Sequence, residues 1–198
     1  MVHLALYDYG AGNIFSLKNA FEKRGAEVRV ITALTDDNYS GLLLPGVGNF
    51  DPAVRTMSDG GVRDMAGESM PVLGICLGME MFLDSSQEGT LPGMGVIPGK
   101  VVILPDDIKR PHMGWNGLNI RRPGVLLDGV PDGSWVYFVH SYMTQPRDPV
   151  TITADVDYGT VVPAVVEQDN YLGTQFHPEK SGDVGKIILD NFLKACRR

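Results

Sequence analysis

Short apolar runs alternate with helix-like segments in the N-terminal part of the chain. The runs at 3–7, 27–31, 41–45 and 71–75 are typical of strands, and the last is almost wholly apolar, as in a central parallel strand covered on both faces. Between the runs, apolar residues recur at helical spacing at positions 14, 17 and 21. The pattern also predicts helices from about Asp51, and from Cys76 through Met81 and Leu83.

The remainder of the chain is rich in predicted strands and ends in a helix. Strand-like runs occupy positions 96–104, 134–140, 150–156, 161–168 and 171–176, and apolar residues at helical spacing close the sequence after a cap near Ser181 or Asp183. No linker or repeat divides the chain, so one domain over 1–198 is predicted. The order of elements favours an α/β fold of three α/β/α layers, with a mostly parallel sheet and β-rich additions. In such folds the active site lies at the carboxyl ends of the strands.

Composition and charge exclude several classes of function. With 24 acidic and 17 basic residues, the net charge of −7 argues against broad binding to nucleic acid or acidic membranes. The two cysteines have no metal-ligand spacing and suggest a reducing compartment, and no cofactor or metal is predicted. The N-terminus is a poor secretory signal and no segment has about 20 consecutive apolar residues, so we expect a soluble, cytoplasmic protein.

The segment 74-GICLG-78 carries the first candidate for chemistry. Its form, Gly-x-Cys-x-Gly at a strand-to-helix junction, is that of a nucleophile elbow, in which flanking glycines permit a sharp turn. We expect the helix N-terminus to lower the pKa of the Cys76 thiol and the Leu77 N–H to help hold an oxyanion. Taken alone, the segment favours a buried thiol that fills the core over a nucleophile, and Cys196 is interpreted as structural or incidental.

Two further segments contain groups that would assist a thiol nucleophile. In 176-FHPE-179, His177 follows a strand and could act as the base, while Glu179 could orient its imidazole. In 44-LPGVGNF-50, the N–H of Gly46 or Val47 could complete an oxyanion hole with Leu77. Each segment alone is also compatible with an ordinary loop or turn.

Together, the three motifs resemble those of the class I, triad-type glutamine amidotransferases, in order and spacing, over nearly the whole chain. The resemblance implies the flavodoxin-like amidotransferase fold and hydrolysis of glutamine to glutamate and ammonia. It implies that Cys76 forms a glutamyl thioester, that His177 transfers protons, and that Glu179 orients His177.

Other segments narrow the resemblance. The sequences 8-DYGAGN-13, 111-PHMGWN-116 and 137-YFVHSY-142 look like those of the glutaminase subunit of imidazole glycerol phosphate synthase, which works in histidine biosynthesis as a heterodimer with a separate TIM-barrel cyclase subunit. By that resemblance, the substrate is bound by Glu88, Ser141 and Tyr142. The 111–116 segment, taken as a turn, and Asn13 are expected near the partner, and the expected interface residues are Asn13, His112, Met113 and Trp115. His112 and His140 are also interpreted as hydrogen-bonded structural histidines.

The chain departs from the family pattern at one substrate-binding position. The family usually has Cys-x-Gly-x-Gln, whereas here the segment is 76-CLGME-80. Glu80 keeps the length and an acceptor of the glutamine side chain, loses its two amide donors and is expected to add a negative charge. A change in glutamine binding is therefore expected at this position.

Two alternative functions remain open from the sequence. One is the glutaminase subunit of another enzyme, such as a pyridoxal-phosphate synthase, against which the 111–116 and 137–142 segments argue. The other is a catalytically silent interaction protein on the same scaffold. Glu80 would indicate such a protein, whereas the intact Cys76, His177 and Glu179 argue against it.

Overall fold

The computed structural model describes residues 1–10, 13–33, 38–61 and 69–197; positions 11 and 12 of the 8–13 turn lie outside these ranges. No helix within them is long and apolar enough to cross a membrane. In chain order, the helices and strands are β1 His3–Tyr7, α1 Ile14–Glu22, β2 Glu27–Ile31, β3 Gly41–Leu44, α2 Phe50–Asp59, β4 Val72–Ile75, α3 Leu77–Glu80, β5 Ser85–Ser86, β6 Gly99–Ile103, β7 His112–Gly117, β8 Asn119–Ile120, β9 Trp135–His140, β10 Tyr142–Pro146, β11 Ile152–Asp157, β12 Val161–Gln168, β13 Tyr171–Thr174 and α4 Gly182–Ala195.

Eight strands form the central sheet, in the order β2-β1-β3-β4-β13-β12-β11-β8. The first five strands of this order are parallel, and the last three add antiparallel pairings. The predicted α/β class with a mostly parallel sheet is confirmed. Because β3, β4 and β13 are adjacent and parallel, the segments that follow them meet at one edge of the sheet, and these segments contain PGVG, the Cys76 elbow and FHPE.

Helices cover both faces of this sheet, as the three-layer prediction requires. On one face, Leu17 and Phe21 of α1 and Phe192 of α4 join a large apolar cluster. On the other face, Phe50 of α2 and Met79 of α3 join a second cluster. Smaller sheets, formed by β10-β6-β5 and by β7-β9, flank this body and are the predicted β-rich additions.

Two local predictions were wrong. The helix after Cys76 ends at Glu80 and does not run through Met81 and Leu83, because the backbone N–H groups of the returning segment 94–97 donate to the carbonyls of residues 81–83. The 111–116 segment is not a turn: it enters β7, which pairs with β9 in antiparallel register. Its sequence, with one glycine and few β-branched residues, gives little local sign of a strand, and the pairing with β9 decides its conformation.

Candidate active site

The elbow holds Cys76 in a backbone conformation that is rare for a side-chain-bearing residue. Its φ is 50° and its ψ is −106°, a combination that costs on the order of 1–3 kcal/mol and persists only where the surroundings impose it. A Cβ at Gly78 would lie 2.1 Å from the carbonyl oxygen of Leu44, and one at Gly74 would lie 2.6 Å from the Gly78 backbone. The flanking glycines therefore allow β4 and α3 to approach closely enough to form the turn.

The Cys76 thiol is 7% exposed and lies among polar groups. Its Sγ is 3.9 Å from the carbonyl oxygen of Val139 and 3.6 Å from the amide nitrogen of Gln175, which donates to it. Burial and the nearby Glu80 carboxyl raise the pKa of the Cys76 thiol well above its usual value. The Leu77 N–H at the start of α3 lowers this pKa, as expected of the helix N-terminus, but α3 is only one turn long and burial outweighs the effect.

His177 and Glu179 form a buried pair. The His177 Nδ1 lies 2.9 Å from the Glu179 Oε1, and their side chains are 2% and 4% exposed. Since a carboxylate can only accept, Nδ1 carries a hydrogen, and in the neutral imidazole the free lone pair is on Nε2. The His177 Nε2 is buried and has no hydrogen-bond partner among the described residues. His177 is therefore placed to accept a proton at Nε2.

The backbone around His177 is held by two neighbours. Its N–H donates to the Tyr137 carbonyl at 2.9 Å, and the Ser181 hydroxyl donates to the His177 carbonyl at 2.7 Å while accepting from the Tyr137 N–H. Ser181 is at the N-cap position of α4, as predicted, but its side chain makes these bonds rather than a capping bond. β9 thereby fixes the position of the imidazole.

Gly46 of the PGVG segment lies between the nucleophile and the base. A Cβ placed on Gly46 would be 3.1 Å from both the Cys76 Cβ and the His177 Cε1. The structure thus brings Cys76 and His177 to one place, although Sγ contacts the Val139 carbonyl rather than Nε2. Val47, the next residue, is 38% exposed beside the same space.

A cavity of about 250 Å³ opens over the thiol. The predicted substrate-binding residues Glu80, Glu88, Ser141 and Tyr142 all line it. So do Gly46, Val47 and Gly48 of the PGVG segment, Cys76 and Leu77 of the elbow, and Pro111, Val139 and His140. Sequence reasoning therefore located the residues around the cavity, although their predicted roles remain to be tested.

Glu88 is anchored to the start of α2. Its Oε2 accepts the backbone N–H of Phe50 at 3.1 Å, and Asp51 accepts the N–H groups of Thr90 and Leu91, which ties the two segments together. Burial and, less strongly, the Asp51 charge raise the pKa of the Glu88 carboxyl. The Glu88 side chain is thus a held acceptor at the mouth of the cavity.

Glu80 lies beneath the cavity, 4% exposed. Its Oε1 accepts a hydrogen bond of 3.1 Å from the amide of Gln175, the same nitrogen that donates to Cys76. Burial, with a smaller contribution from Glu88, raises the pKa of Glu80 to about 8, against the lowering effect of the Gln175 bond. Sequence reasoning missed Gln175, whose only signal was its place directly before FHPE.

A pair of buried histidines supports the far wall of the cavity. The His112 Nδ1 lies 2.9 Å from the His140 Nε2, and the His140 Nδ1 lies 2.7 Å from the Tyr142 carbonyl oxygen, to which it donates. Burial lowers the pKa of His112 to about 4 and that of His140 to about 3. His112 is 2% exposed and stacks against Phe138, so the structure supports the structural interpretation and gives no accessible His112 side chain to a partner.

The outward face of β7 and β9 is apolar and aromatic. Met113, Trp115 and Trp135 are 62%, 51% and 61% exposed, and the strand register places Met113 opposite Val139 and Trp115 opposite Tyr137. We call these five residues the β7–β9 face. Trp135 was not predicted here, although the alternation of 134-SWVYFVH-140 places it on the same side as Tyr137 and Val139. Asn13, exposed elsewhere, caps α1 by accepting the Ser16 N–H at 3.2 Å.

Comparisons with known proteins agree with this geometry. Residues 5–196 match the family model described as glutamine amidotransferase class-I. Two curated relatives named imidazole glycerol phosphate synthase subunit HisH come from Archaeoglobus fulgidus, 45% identical over 98% of this chain and 100% of the relative, and from Synechococcus sp. (strain JA-3-3Ab), 41% identical over 100% and 95%.

Solved structures support the fold. A crystal structure described as glutamine amidotransferase superposes with a TM-score of 0.77 at 18% identity, covering 100% of both chains. A chain from the structure of PurLQS from Thermotoga maritima superposes with a TM-score of 0.76 at 18% identity, covering 98% of both chains. With a family model matched over 5–196 and relatives above 40% identity over nearly their full length, the chain belongs to the class I glutamine amidotransferases.

Proposed function

We propose that this chain is the glutaminase subunit of an imidazole glycerol phosphate synthase, which hydrolyses glutamine and passes the ammonia to a cyclase subunit. The observation that carries the proposal is the meeting of Cys76 and His177 around Gly46, beside the cavity that Cys76 and Gly46 line, with Glu179 bonded to the base. The names and near full-length similarity of the curated relatives support the choice of synthase. One amidotransferase domain over 1–198 is part of the same proposal.

The first half of the reaction uses the pair of Cys76 and His177. A rotation of the thiol away from the Val139 carbonyl would bring Sγ to the free lone pair of the His177 Nε2, which takes the thiol proton. The thiolate attacks the side-chain amide carbon of glutamine, and the amide oxygen becomes an oxyanion. His177 then gives the proton to the departing nitrogen, so that ammonia leaves and a glutamyl thioester remains on Cys76.

The second half releases glutamate. His177 accepts a proton from a water molecule, whose hydroxide attacks the thioester carbonyl and forms a second oxyanion. The carbon–sulfur bond breaks, and the thiolate regains its proton from His177. Glu179 keeps the proton of the imidazole on Nδ1 throughout, and stabilises the imidazolium that forms in each half.

The remaining cavity residues have complementary roles in the proposal. The N–H groups of Leu77 and of Gly46 or Val47 stabilise the oxyanion, because they border the cavity beside Sγ. Glu88 accepts from the substrate ammonium group, while the backbone at Ser141 and Tyr142 contacts its polar end. Glu80 lies at the position of the family's glutamine and contributes to the same substrate site.

Ammonia transfer requires a partner close to the cavity, and the β7–β9 face is suited to receive one. It is apolar, exposed and aromatic, as the centres of protein interfaces often are. It is continuous with the site, since Val139 lines the cavity and the Tyr137 carbonyl holds His177. We propose that Met113 and Trp115, and also Asn13 at the start of α1, contact a TIM-barrel cyclase subunit in a heterodimer in the cytoplasm, where reducing conditions keep Cys76 a free thiol.

The direct test is glutamate release from glutamine by the purified chain, with and without a purified cyclase partner and its nucleotide-derived ligand. We expect low activity alone and strong stimulation by the complete mixture. Stimulation only by a pyridoxal-phosphate synthase partner would replace the proposed synthase. Absence of hydrolysis with every partner would favour the silent scaffold.

A further inference from the structure

We propose, building on the glutaminase function above, that Glu80 works as a neutral carboxylic acid, and that loss of its proton keeps the Cys76 thiol from ionising. Through Gln175, Glu80 thus positions the Cys76 thiol, and at alkaline pH its negative charge disfavours formation of the thiolate. Glu80 is this chain's own departure from the family's glutamine.

The geometry links Glu80 to the nucleophile through one side chain. The Gln175 amide nitrogen donates to the Glu80 Oε1 at 3.1 Å and to the Cys76 Sγ at 3.6 Å, and Gln175 is fully buried. Glu80 is the last residue of the one-turn helix that begins at Leu77, and its N–H donates to the Cys76 carbonyl at 2.9 Å. A charge on Glu80 is therefore felt directly by the thiol.

No positive group faces Glu80 among the described residues. The groups around it are the Cys76 thiol on the elbow, the Tyr9 hydroxyl after β1, the Glu88 carboxyl after β5 and the neutral Gln175 after β13. No lysine, arginine or histidine in the described ranges forms an ion pair with Glu80. A buried carboxylate without a counter-ion is costly, so Glu80 retains its proton until the solution is alkaline. The raised pKa of about 8 agrees with this.

The two groups then titrate as a competing pair. Below about pH 8 Glu80 is neutral, and the thiolate fraction of Cys76 rises tenfold for each pH unit. Above that pH Glu80 ionises before Cys76. Its negative charge then raises the pKa of the Cys76 thiol by on the order of 1–3 pKa units. The thiolate fraction should therefore stop rising between the two titrations.

Alkylation of Cys76 by iodoacetamide measures that fraction directly. The thiolate attacks the methylene carbon, the carbon–sulfur bond forms, and iodide leaves. We expect the rate in the wild type to rise with pH and to level off near pH 8, whereas the rate in Glu80→Gln continues to rise. At pH 9.5 the variant should react at least about tenfold faster, and at pH 6.5 the two should be equal within about twofold. Mass spectrometry of the peptides distinguishes alkylation of Cys76 from alkylation of Cys196.

The matched control is Glu88→Gln, which removes another carboxyl from the same cavity without touching Gln175. Because Glu88 raises the pKa of Glu80, this variant should keep the levelling but show it at lower pH. Circular dichroism at each pH verifies the fold. A wild-type rate that rises unbroken through pH 8 to 9.5, or the same levelling in Glu80→Gln, would overturn the inference. The assay needs neither glutamine nor partner, so a failed glutaminase assay leaves its result intact.

Discussion

A methyl group added at Gly46 should lower catalytic activity by more than the accompanying loss of stability can explain. In Gly46→Ala the new Cβ would lie 2.6 Å from the Ile75 carbonyl oxygen and 3.1 Å from both the Cys76 Cβ and the His177 Cε1. The first distance is well below ordinary contact, so the backbone must move by several tenths of an ångström where nucleophile and base meet. Misplacement by about 1 Å costs on the order of a hundredfold in rate, so we expect kcat/KM for glutamine to fall by about tenfold to a hundredfold.

The matched control lies at the start of β3, the strand that precedes Gly46. In Gly41→Ala, the Cβ would be 2.6 Å from the Cys196 Sγ, an equally short contact, here with a partly buried side chain rather than with backbone. Both variants should lose about 1–3 kcal/mol of unfolding free energy by overpacking, measured by urea denaturation. Only Gly46→Ala should lose glutaminase activity in the presence of the partner. Equal kcat/KM values for the two variants would refute the placement of Gly46 between the catalytic groups.

Three further predictions concern the base, the partner face and the buried histidines. Glu179→Gln should lower kcat by at least about a hundredfold with little change in KM, because the amide no longer fixes the imidazole hydrogen on Nδ1; equal activity in steady-state assays would contradict this. Trp115→Ala should weaken binding of the cyclase partner about tenfold or more by calorimetry while Val161→Ala, at an exposed residue on β12, should not; equal losses would argue against the β7–β9 face. The pKa of His140 is about 3 in the folded state and near 6.5 in the unfolded state, so below pH 6.5 only the unfolded state binds the proton. The free energy of unfolding should therefore fall by up to about 1.4 kcal/mol for each pH unit below pH 6.5. His140→Gln should reduce this slope, and the control His3→Gln, at an exposed residue, should leave it unchanged.

Much of the fold was accessible from the sequence because β1, β3 and β4 are short, apolar and almost wholly buried. The runs at 3–7, 27–31, 41–45 and 71–75 each coincide within a residue with a strand, including β2, which is less buried because it is an edge strand. The elbow was recognisable because only glycine fits at Gly74 and Gly78, where a Cβ would meet backbone. Local chemistry and the requirements of the fold agree at these places.

The features that were missed depend on contacts between distant segments. The helix after Cys76 is cut short by bonds from residues 94–97, and β7 forms because it pairs with β9. Gln175 owes its place to hydrogen bonds with Cys76 and Glu80, 99 and 95 positions away. Sequence reasoning foresaw the lowering of the thiol pKa by the Leu77 N–H but not burial and Glu80, which outweigh it.

The central claim is that Cys76 carries the glutamyl group of the substrate. Its most direct measurement is mass spectrometry of the chain after rapid acid quenching during turnover of glutamine, with the cyclase partner and its ligand present. We expect a glutamyl adduct on the Cys76 peptide, and neither adduct nor ammonia production in Cys76→Ala. An adduct on another residue, or ammonia production at the wild-type rate by Cys76→Ala, would contradict the claim.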